Sequence, residues 1–352
     1  MDYNIYHEDG SMSIDAPGWD NYVNSHPLSS FYHLYNWKMT LGDVFGFKPF
    51  YIYCKEGSNI RGICPLFLMK DVFLRRYLIS SPFANFAGII SDSQEVEGAI
   101  IDYIHKLSQG RNVQYAQLRN KENFISDDYN NVLAKDYFVT MCLDLVPTEA
   151  GLWERISPRN KNKIRLGEKM NFHSALGAEY LEAFHFIFKK NMRHLGTPAF
   201  PIRFFREILK HFPQNSNIFV VKDKERVVSG MFLFWFKDTI AEPWVSSLRE
   251  YNKYYINNFL YWEAIKFAIN NKFRYFDFGR STRDSGTYNF KRQWGAYPVT
   301  LRYQHLLNRA SSVYDTNSHS NKYGIFIKIW KSMPGILCDF IGPRLVKYLP
   351  EL

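Results

Sequence analysis

The sequence predicts a mixed α/β (α+β) fold with mixed, mainly antiparallel sheets. Its length of 352 residues suits two domains at roughly 150 residues each. Each half of the chain shows the same order of apolar patterns: a helix, antiparallel strands, a second helix and further strands. The segments 50–68 (FYIYCKEGSNIRGICPLFL) and 218–236 (IFVVKDKERVVSGMFLFWF) also resemble one another, and a charged turn in each is typical of a hairpin.

In the first half, apolar residues at helical spacing followed by Gly46 predict a helix over 31–45. The aromatic stretch 77–90, which contains Pro82, is interpreted as a loop. Alternation and turn residues predict the remaining elements of this half: strands at 50–54, 60–69, 113–119 and 137–145, and a helix over 94–108.

In the second half, Gly196 and Pro198 end one predicted helix, Pro201 opens the next, and Asn257 is a predicted N-cap. These signals and the apolar periodicity predict helices over 180–195, 202–212 and 258–270, and strands at 218–222, 226–236, 239–245, 273–278 and 299–307. The likeness of the halves indicates a weak internal duplication, with chance similarity of two α/β segments as the alternative.

A basic segment, SPRNKNKIRLGEKMN at 157–171, lies between the halves. Ser157 suits an N-cap and Pro158 the first helical turn. Its cations are Arg159, Lys161, Lys163, Arg165 and Lys169, against the single acid Glu168. Two interpretations stay open: a solvated connecting helix, and an electrostatic lip of a cleft that attracts an anionic ligand.

The composition narrows the class of protein. The net charge is +10 and aromatic residues make up 18% of the chain, which suits a phosphorylated or sugar-bearing ligand and equally a nucleic-acid surface. Cys54, Cys64, Cys142 and Cys338 have no CxxC spacing, so buried free thiols in a reducing compartment are predicted.

The N-terminal stretch is polar and acidic, and no apolar run reaches the ~18 residues of a membrane span. These features predict a cytoplasmic protein. There is no HExxH motif and no Cys/His ligand spacing, so no metal site is expected. Neither a GxSxG elbow nor a GxxxxGK[ST] phosphate loop is present.

The most specific stretch is FDFGRSTRDSGTYNFKRQWGAYPVTL at 276–301. Asp277 lies between two phenylalanines at a strand end, and Gly279 interrupts the strand. Cations then surround a Ser/Gly-rich loop, which can present N–H groups and positive charge to an anion. The cations are Arg280, Arg283, Lys291 and Arg292, and the aromatic residues that would enclose the loop are Phe290, Trp294 and Tyr297.

This motif resembles the signature of FemAB-related proteins of the GNAT acyltransferase superfamily, and in particular the branch found with bacterial exopolysaccharide and PEP-CTERM systems. The resemblance extends to other stretches: SPFANFAGI at 81–89, the basic segment, RHLGTPAFPIRFF at 193–205, NNFLYWEAIKFA at 257–268 and the Trp330, Met333-Pro334 and Gly342-Pro343 pattern of the tail. It implies tandem GNAT-like domains at 1–150 and 151–308, followed by an amphipathic tail at 309–352.

The resemblance also implies an activity. Relatives move an amino acid from aminoacyl-tRNA to a peptidoglycan precursor, or an acyl group from a coenzyme A thioester to an amine. The expected function is therefore N-acyl or aminoacyl transfer to a cell-surface polysaccharide or peptidoglycan-type precursor. The alternative is a non-catalytic binding or scaffold module of an exopolysaccharide system.

The acyl donor is expected to be acyl-CoA or aminoacyl-tRNA, and an anionic precursor and tRNA are the expected partners. Coenzyme A is the weaker candidate. Ordinary acetyltransferases grip its pyrophosphate with a Gly-rich turn, whereas the corresponding stretch here, 247–258, has no glycine.

The Phe-Lys pair implicated in FemAB activity falls on Phe290-Lys291, which implies that Lys291 stabilises an oxyanion or holds a phosphate. The alternative is an exposed lysine whose stem covers Phe290. Asp277 is a second catalytic candidate, which either pairs with Arg280, the favoured role, or accepts a proton from the amine. Tyr288 is the third, as a proton donor or acceptor, with simple packing on an aromatic face as the alternative. The substrate-binding candidates are Arg280, Arg283, Phe290, Arg292, Trp294, Arg193, Asn85, Phe86 and Lys38.

The tail from Tyr323 to Leu352 combines short apolar stripes with basic residues. One hypothesis is that it docks on anionic lipid, which would place the protein peripherally at the inner face of the membrane. The other is that it packs on the protein's own core or on a second subunit.

Overall fold

The computed structural model describes residues 3–8, 15–121, 132–313 and 321–349. The chain forms two compact units, each built from separate stretches. Unit 1 comprises Met1–Phe138, Thr300–Ser320 and Leu345–Leu352, and unit 2 comprises Val139–Val299 and Asn321–Arg344. The first division falls at 138/139, whereas the sequence suggested three continuous segments with a boundary at 150. The domain assignment itself stays a prediction.

Over its described residues, unit 1 contains a mixed sheet and three α-helices. The elements are β1 (Asn4–Glu8), α1 (Ala16–Ser25), α2 (Asn36–Phe45), β2 (Lys48–Glu56), β3 (Asn59–Lys70), β4 (Arg76–Ser80), β5 (Ile90–Ser91), α3 (Gln94–Gly110), β6 (Val113–Lys121), the first part of β7 (Val132–Asp144) and most of β13 (Tyr297–Leu307). The strand order is β1-β2-β3-β4-β6-β13, with β5 on β3. Strands β4 and β6 are parallel, whereas β1-β2, β2-β3, β3-β4, β3-β5 and β6-β13 are antiparallel pairs.

Helix α3 shows how local sequence and packing cooperate in unit 1. The Ser93 hydroxyl accepts a hydrogen bond from the backbone N–H of Val96 at 3.3 Å and so caps the helix. Ile100 and Ile104, four residues apart, are fully buried against strands of the sheet. The helix therefore covers the apolar side of the strands that carry Phe50 and Leu66.

Two predictions for unit 1 need correction. The helix predicted over 31–45 is divided into a 3-10 turn at Phe31–His33 and α2, although Gly46 does end it, with a φ of 68°. The stretch 77–90, predicted as a loop, contains most of strand β4 and the first residue of strand β5. Residues 77–80 are all buried, so this strand lacks the alternation by which a half-buried strand is recognised.

Unit 2 also contains a mixed sheet with helices. The elements are the second part of β7, α4 (Glu149–Arg155), α5 (Pro158–Glu168), β8 (His173–Leu176), α6 (Leu181–Leu195), α7 (Ile202–His211), β9 (Ser216–Asp223), β10 (Arg226–Phe236), β11 (Thr239–Ser247), α8 (Ile256–Asn270), β12 (Tyr275–Thr282), α9 (Gly286–Arg292), the start of β13, α10 (Asn321–Ser332) and α11 (Gly335–Leu345, up to Arg344). The strand order is β7-β12-β11-β10-β9-β8. Strands β11 and β12 are parallel, and β8 to β11 pair antiparallel in succession.

Short 3-10 turns complete the described structure, at Ala178–Tyr180 and Arg249–Tyr254 in unit 2 and at Val346–Tyr348 in unit 1. Helix α8 lies at the centre of unit 2 and is apolar on most sides, as expected of a buried helix. Gly167 of α5 lets the two helices approach closely, since a Cβ there would lie 2.9 Å from the Phe259 Cβ.

The predicted cap of α8 is wrong. The helix begins at Ile256, so Asn257 lies inside its first turn, and the residue at the N-cap is Tyr255 with a φ of 55°. The basic segment, by contrast, starts as predicted, because the Ser157 hydroxyl accepts the Asn160 N–H at 3.3 Å.

The two units repeat one architecture. In each, three antiparallel strands (β2-β3-β4 and β9-β10-β11) are followed by a helix (α3 and α8) and by a strand parallel to the third (β6 and β12). This agrees with the duplication suggested by the sequence, and the predicted mixed α/β fold with mainly antiparallel pairing is confirmed.

Most of strand β13 belongs to unit 1, although it lies in the second half of the sequence. It was predicted to complete the second half, but from Leu301 to Leu307 it pairs antiparallel with β6 of unit 1. There the Gln304 side chain accepts from the Asn120 amide at 3.1 Å, and His305 lies 2.9 Å from the Gln117 amide nitrogen.

All four cysteines are free and buried, as expected. Within the described parts of the chain, no helix is both long enough and apolar enough to cross a bilayer.

Candidate functional site

The motif at 276–301 lies in unit 2 where β11 and β12 stop pairing. Their parallel register covers three residue pairs, from Thr239 with Tyr275 to Ala241 with Asp277. Both strands continue beyond this point, β11 to Ser247 and β12 to Thr282. The backbone groups of β12 after Asp277 therefore need partners other than β11.

Asp277 holds a kink in β12. Gly279 has a φ of 71°, in the left-handed region that favours glycine. One carboxylate oxygen of Asp277 accepts the Gly279 N–H at 2.8 Å and also accepts the hydroxyl of Thr140 on β7. Since Asp277 is buried, these contacts fix the backbone at the start of the cationic loop.

Lys291 of α9 closes the same kink from the other side. Its side chain is only 7% exposed, and its ammonium donates to the carbonyl oxygens of Gly279 at 3.0 Å and Arg280 at 3.1 Å. Successive carbonyls of a regular strand point in opposite directions, so one ammonium can reach both only because the strand is bent. The lysine is thus buried, not the exposed cation of the alternative interpretation.

A buried acid lies in the same network. Glu242 of β11 is buried and accepts the Tyr261 hydroxyl of α8 at 2.6 Å. Burial raises the pKa of Glu242 to about 8, with the Lys291 charge opposing the rise. Burial also lowers the pKa of Lys291, while the charges of Glu242 and Asp277 act in the other direction.

Sequence reasoning missed Glu242, Tyr261 and Thr140. For Glu242 a signal existed, because it is the single charged residue in the strand TIAEPWVSS. A lone carboxylate within an apolar strand has to be paired or protonated. Tyr261 and Thr140 carried no such signal, since each is an ordinary residue of a helix or strand.

Aromatic side chains enclose this network. The Tyr261 ring packs against Phe278 at 5.2 Å, Phe290 at 5.3 Å and Trp294 at 6.0 Å between ring centroids. Trp294 is fully buried, and no described residue accepts a hydrogen bond from its indole N–H. Trp294 is therefore part of the core, and the predicted substrate-binding role stays a prediction.

Helix α9 carries the rest of the motif. The Ser285 hydroxyl accepts the Tyr288 N–H at 3.2 Å and caps the helix. Tyr288 is buried, and the Arg292 guanidinium lies 5.9 Å from its ring centroid. Arg283 is exposed and Arg280 half-buried, whereas Lys291 is buried.

The basic helix α5 lies beside the motif. The Lys163 ammonium donates to the Gln293 side-chain oxygen at 3.3 Å, just after α9. Burial and the nearby Arg159 charge lower the pKa of Lys163. At the other edge of the helix, the Asn160 side-chain oxygen accepts from the Asn258 amide at 2.6 Å. Helix α5 is therefore attached to both α8 and the end of the motif.

The other predicted substrate-binding residues have these contacts within their own units. Arg193 of α6 donates to the Met333 carbonyl oxygen at 2.8 Å, in the segment between α10 and α11. In unit 1, Lys38 is buried and its ammonium lies 2.6 Å from the Glu8 carboxylate. The Asn85 carbonyl accepts the Tyr303 hydroxyl at 2.6 Å, and Phe86 lines a small pocket with Gly88.

Residues 159–292 match the family model described as the acetyltransferase (GNAT) domain. This stretch runs from the basic helix α5 to the end of α9 and so contains Glu242, Asp277 and Lys291. The chain therefore carries a GNAT acyltransferase domain. No curated protein sequence matches the chain.

Solved structures resemble the chain over most of its length. FemX has a TM-score of 0.64 at 15% identity, over 88% of this chain and 98% of FemX. L-PGS from Bacillus licheniformis has a TM-score of 0.56 at 11% identity, over 97% of this chain and 99% of L-PGS. A tandem GNAT protein from the clavulanic acid biosynthesis pathway has a TM-score of 0.53 at 9% identity, over 86% of this chain and 98% of that protein. At these identities the likeness establishes a shared GNAT-like fold.

Proposed function

We propose that this GNAT-fold chain is a FemAB-like N-acyltransferase or aminoacyltransferase. Its acceptor would be an amine on a cell-surface polysaccharide or peptidoglycan-type precursor. The amine nitrogen attacks the acyl carbonyl carbon, and the bond from that carbon to the donor's ester oxygen or thioester sulfur breaks. The amine loses a proton and the leaving group gains one. The choice of an exopolysaccharide setting rests on the resemblance of the 276–301 motif.

The observation that supports this proposal best is the clamp on the kinked strand β12. Asp277 binds the N–H of Gly279, and Lys291 binds the carbonyls of Gly279 and Arg280. Acyl transfer passes through a tetrahedral oxyanion, which is stabilised by donors that are held in place before the reaction. A strand end fixed from both sides, and followed directly by cations, meets this requirement.

The clamp suggests a division of roles within the motif. We assign Asp277 and Lys291 to positioning the loop, and the exposed or half-buried Arg280, Arg283 and Arg292 to binding anionic groups of donor or acceptor. Tyr288 remains the proposed residue for proton transfer.

The start of α8 favours aminoacyl-tRNA over coenzyme A as the donor. A 3-10 turn at Arg249–Tyr254 leads into it, and Tyr255 occupies the N-cap in a left-handed conformation. A glycine at the start of α8 would let a pyrophosphate approach the backbone N–H groups, whereas the side chains of residues 249–255 restrict that approach. Lys163 of α5 lies beside the motif, and the cations of this helix suit the phosphates of tRNA.

The test is a transfer assay in which the purified protein receives labelled aminoacyl-tRNA or labelled acetyl-CoA, with amine-bearing peptidoglycan precursors and amino-sugar polysaccharide as acceptors. We expect label to move from aminoacyl-tRNA to the acceptor. Lys291→Met should lower kcat/KM at least about tenfold, because two carbonyls lose their donor and the loop is no longer held.

The matched control is Lys210→Met on α7, an exposed lysine that should leave transfer unchanged. If Lys291→Met proves unstable, the exposed Arg283→Gln serves instead and should raise KM. Absence of transfer with both donors, although each binds, would favour the non-catalytic scaffold function.

A further inference from the structure

Helices α10 and α11 are anchored to unit 2 by one side. Trp330 of α10 is buried, and a Cβ at Gly196 would lie 2.6 Å from the Ile327 side chain, so α10 packs closely on the end of α6. In α11, Cys338 and Gly342 are buried, and a Cβ at Gly342 would lie 3.4 Å from the Trp330 ring. These two helices are therefore packed onto unit 2.

The opposite sides of these helices carry large apolar residues. In α11, Ile336 is 85% exposed and Phe340 is 61% exposed, while Leu337 and Ile341 are also exposed. Helix α10 adds Ile325 and Ile329, both more than half exposed. Residues four positions apart share a helix face, so Ile325 and Ile329 lie together on α10 and Ile336 and Phe340 lie together on α11. Helix α11 thus buries its small residues and presents its large apolar residues outward, the reverse of an ordinary surface helix.

The charges near these faces are almost all positive. Residues 324–345 contain the cations Lys328, Lys331 and Arg344 but a single acid, Asp339. The Asp339 carboxylate is already paired, 2.6 Å from the ammonium of Lys189 on α6. Exposed apolar side chains with cations around them are typical of a surface that rests in the interface of an anionic bilayer.

We propose that α10 and α11 form a peripheral docking surface for anionic lipid. The apolar residues Ile325, Ile329, Ile336 and Phe340 enter the boundary between headgroups and acyl chains, and Lys328, Lys331 and Arg344 bind the lipid phosphates. The occupant is a lipid surface because the cations complement its charge. This proposal is independent of the acyltransferase activity.

Vesicle sedimentation of the full-length protein tests it. With vesicles of phosphatidylglycerol and phosphatidylcholine we expect the protein to pellet, and with phosphatidylcholine alone or at high salt we expect it to stay in the supernatant. The double variant Ile336→Glu/Phe340→Glu should weaken binding to the anionic vesicles by about tenfold or more, because two side chains that would be buried in the lipid become charged.

Met39→Glu/Leu133→Glu is the matched control, with the same added charge on two exposed apolar residues of unit 1, and it should bind as the unchanged protein does. Thermal unfolding checks that both variants fold. Equal binding by the helix variant and the control would overturn the proposal. A dimer without vesicles that the helix variant dissociates would overturn it as well, because the occupant would then be a second copy of the chain.

Discussion

The buried carboxylate of Glu242 should make the stability of unit 2 depend on pH. Burial raises its pKa from 4.5 to about 8 in the folded protein. Between these values the folded state retains a proton that the unfolded state has lost. The free energy of unfolding therefore falls as pH rises through this window.

We predict that Glu242→Gln removes this decline. Relative to the unchanged protein, the variant should gain about 2 to 4 kcal/mol of stability between pH 5 and pH 8. Urea unfolding at several pH values measures the difference between the two proteins. The quantity to compare is the difference in unfolding free energy between variant and unchanged protein at each pH. The lowered pKa of Lys291 makes the unfolding free energy of both proteins rise at higher pH, and taking the difference removes that shared contribution.

Glu263→Gln on α8 is a suitable control, since this half-buried carboxylate is already paired, 2.5 Å from the Lys266 ammonium, and accepts the Ser174 hydroxyl at 3.0 Å. The difference in unfolding free energy between this control and the unchanged protein should change much less between pH 5 and pH 8 than the difference for Glu242→Gln. A Glu242→Gln curve parallel to that of the unchanged protein would contradict the raised pKa.

At the residue scale, the sequence identified the motif but not its contacts. Lys291 was singled out through the Phe-Lys pair, yet nothing in the sequence shows that its ammonium turns inward to the carbonyls of Gly279 and Arg280. That direction depends on where β11 stops pairing with β12, a tertiary property. Glu242 contributes to the same network from a strand 35 or more positions earlier, beyond the reach of local patterns.

The turn between β3 and β4 in unit 1 depends on a single buried carboxylate. Asp71 accepts the N–H groups of Phe73 at 2.9 Å and Arg75 at 3.0 Å, and the Tyr77 hydroxyl at 3.0 Å. Its side chain is also paired with the Arg75 guanidinium at 2.6 Å. These bonds compensate for the left-handed backbone of Leu74, whose φ is 62°.

We predict that Asp71→Ala lowers the free energy of unfolding by about 3 kcal/mol, because several donors lose their acceptor at once. Chemical denaturation measures the change. Asp102→Ala, on the exposed side of α3, should stay within about 0.5 kcal/mol of the unchanged protein. Similar losses in the two variants would show that the Asp71 contacts contribute little.

Elements were predictable where their signals are local. The hairpin β9-β10, with charged residues in its turn, and the helices α3, α6 and α7 follow from alternation, caps and apolar spacing. Strand β4 was missed because it is buried on both faces. The cap of α8 was misplaced because Tyr255, a bulky residue, adopts the left-handed conformation usually left to glycine or asparagine.

Over the whole molecule, the repeated order of patterns predicted two similar α/β halves, and both units have that architecture. The destination of β13 was not predictable. Its pattern describes a buried strand, but pairing with β6, nearly 200 positions earlier, requires knowledge of the sheet.

The excess positive charge leads to a prediction about tRNA binding. Replacing Arg159, Lys163 and Arg165 of α5 with glutamine should make the slope of log K against log salt concentration shallower by about 2 to 3, as expected for three lost phosphate contacts. Filter binding of tRNA over a range of salt concentrations measures the slope.

The matched control neutralises three lysines of unit 1, Lys48, Lys55 and Lys106, and should leave the slope as it is. Equal slopes for the α5 variant and the control would mean that the net positive charge of the whole protein attracts tRNA and that α5 makes no particular contribution.

The path of β13 has a consequence for biosynthesis. The ribosome delivers Gln304 and His305 only after the whole of β8 to β12, yet these residues complete the sheet that begins with the first strands of the chain. The N-terminal part must therefore wait, with the edge of β6 unpaired by its final neighbour, while later parts are translated. A nascent chain stalled before residue 300 should accordingly expose an edge that chaperones or other stalled chains can occupy.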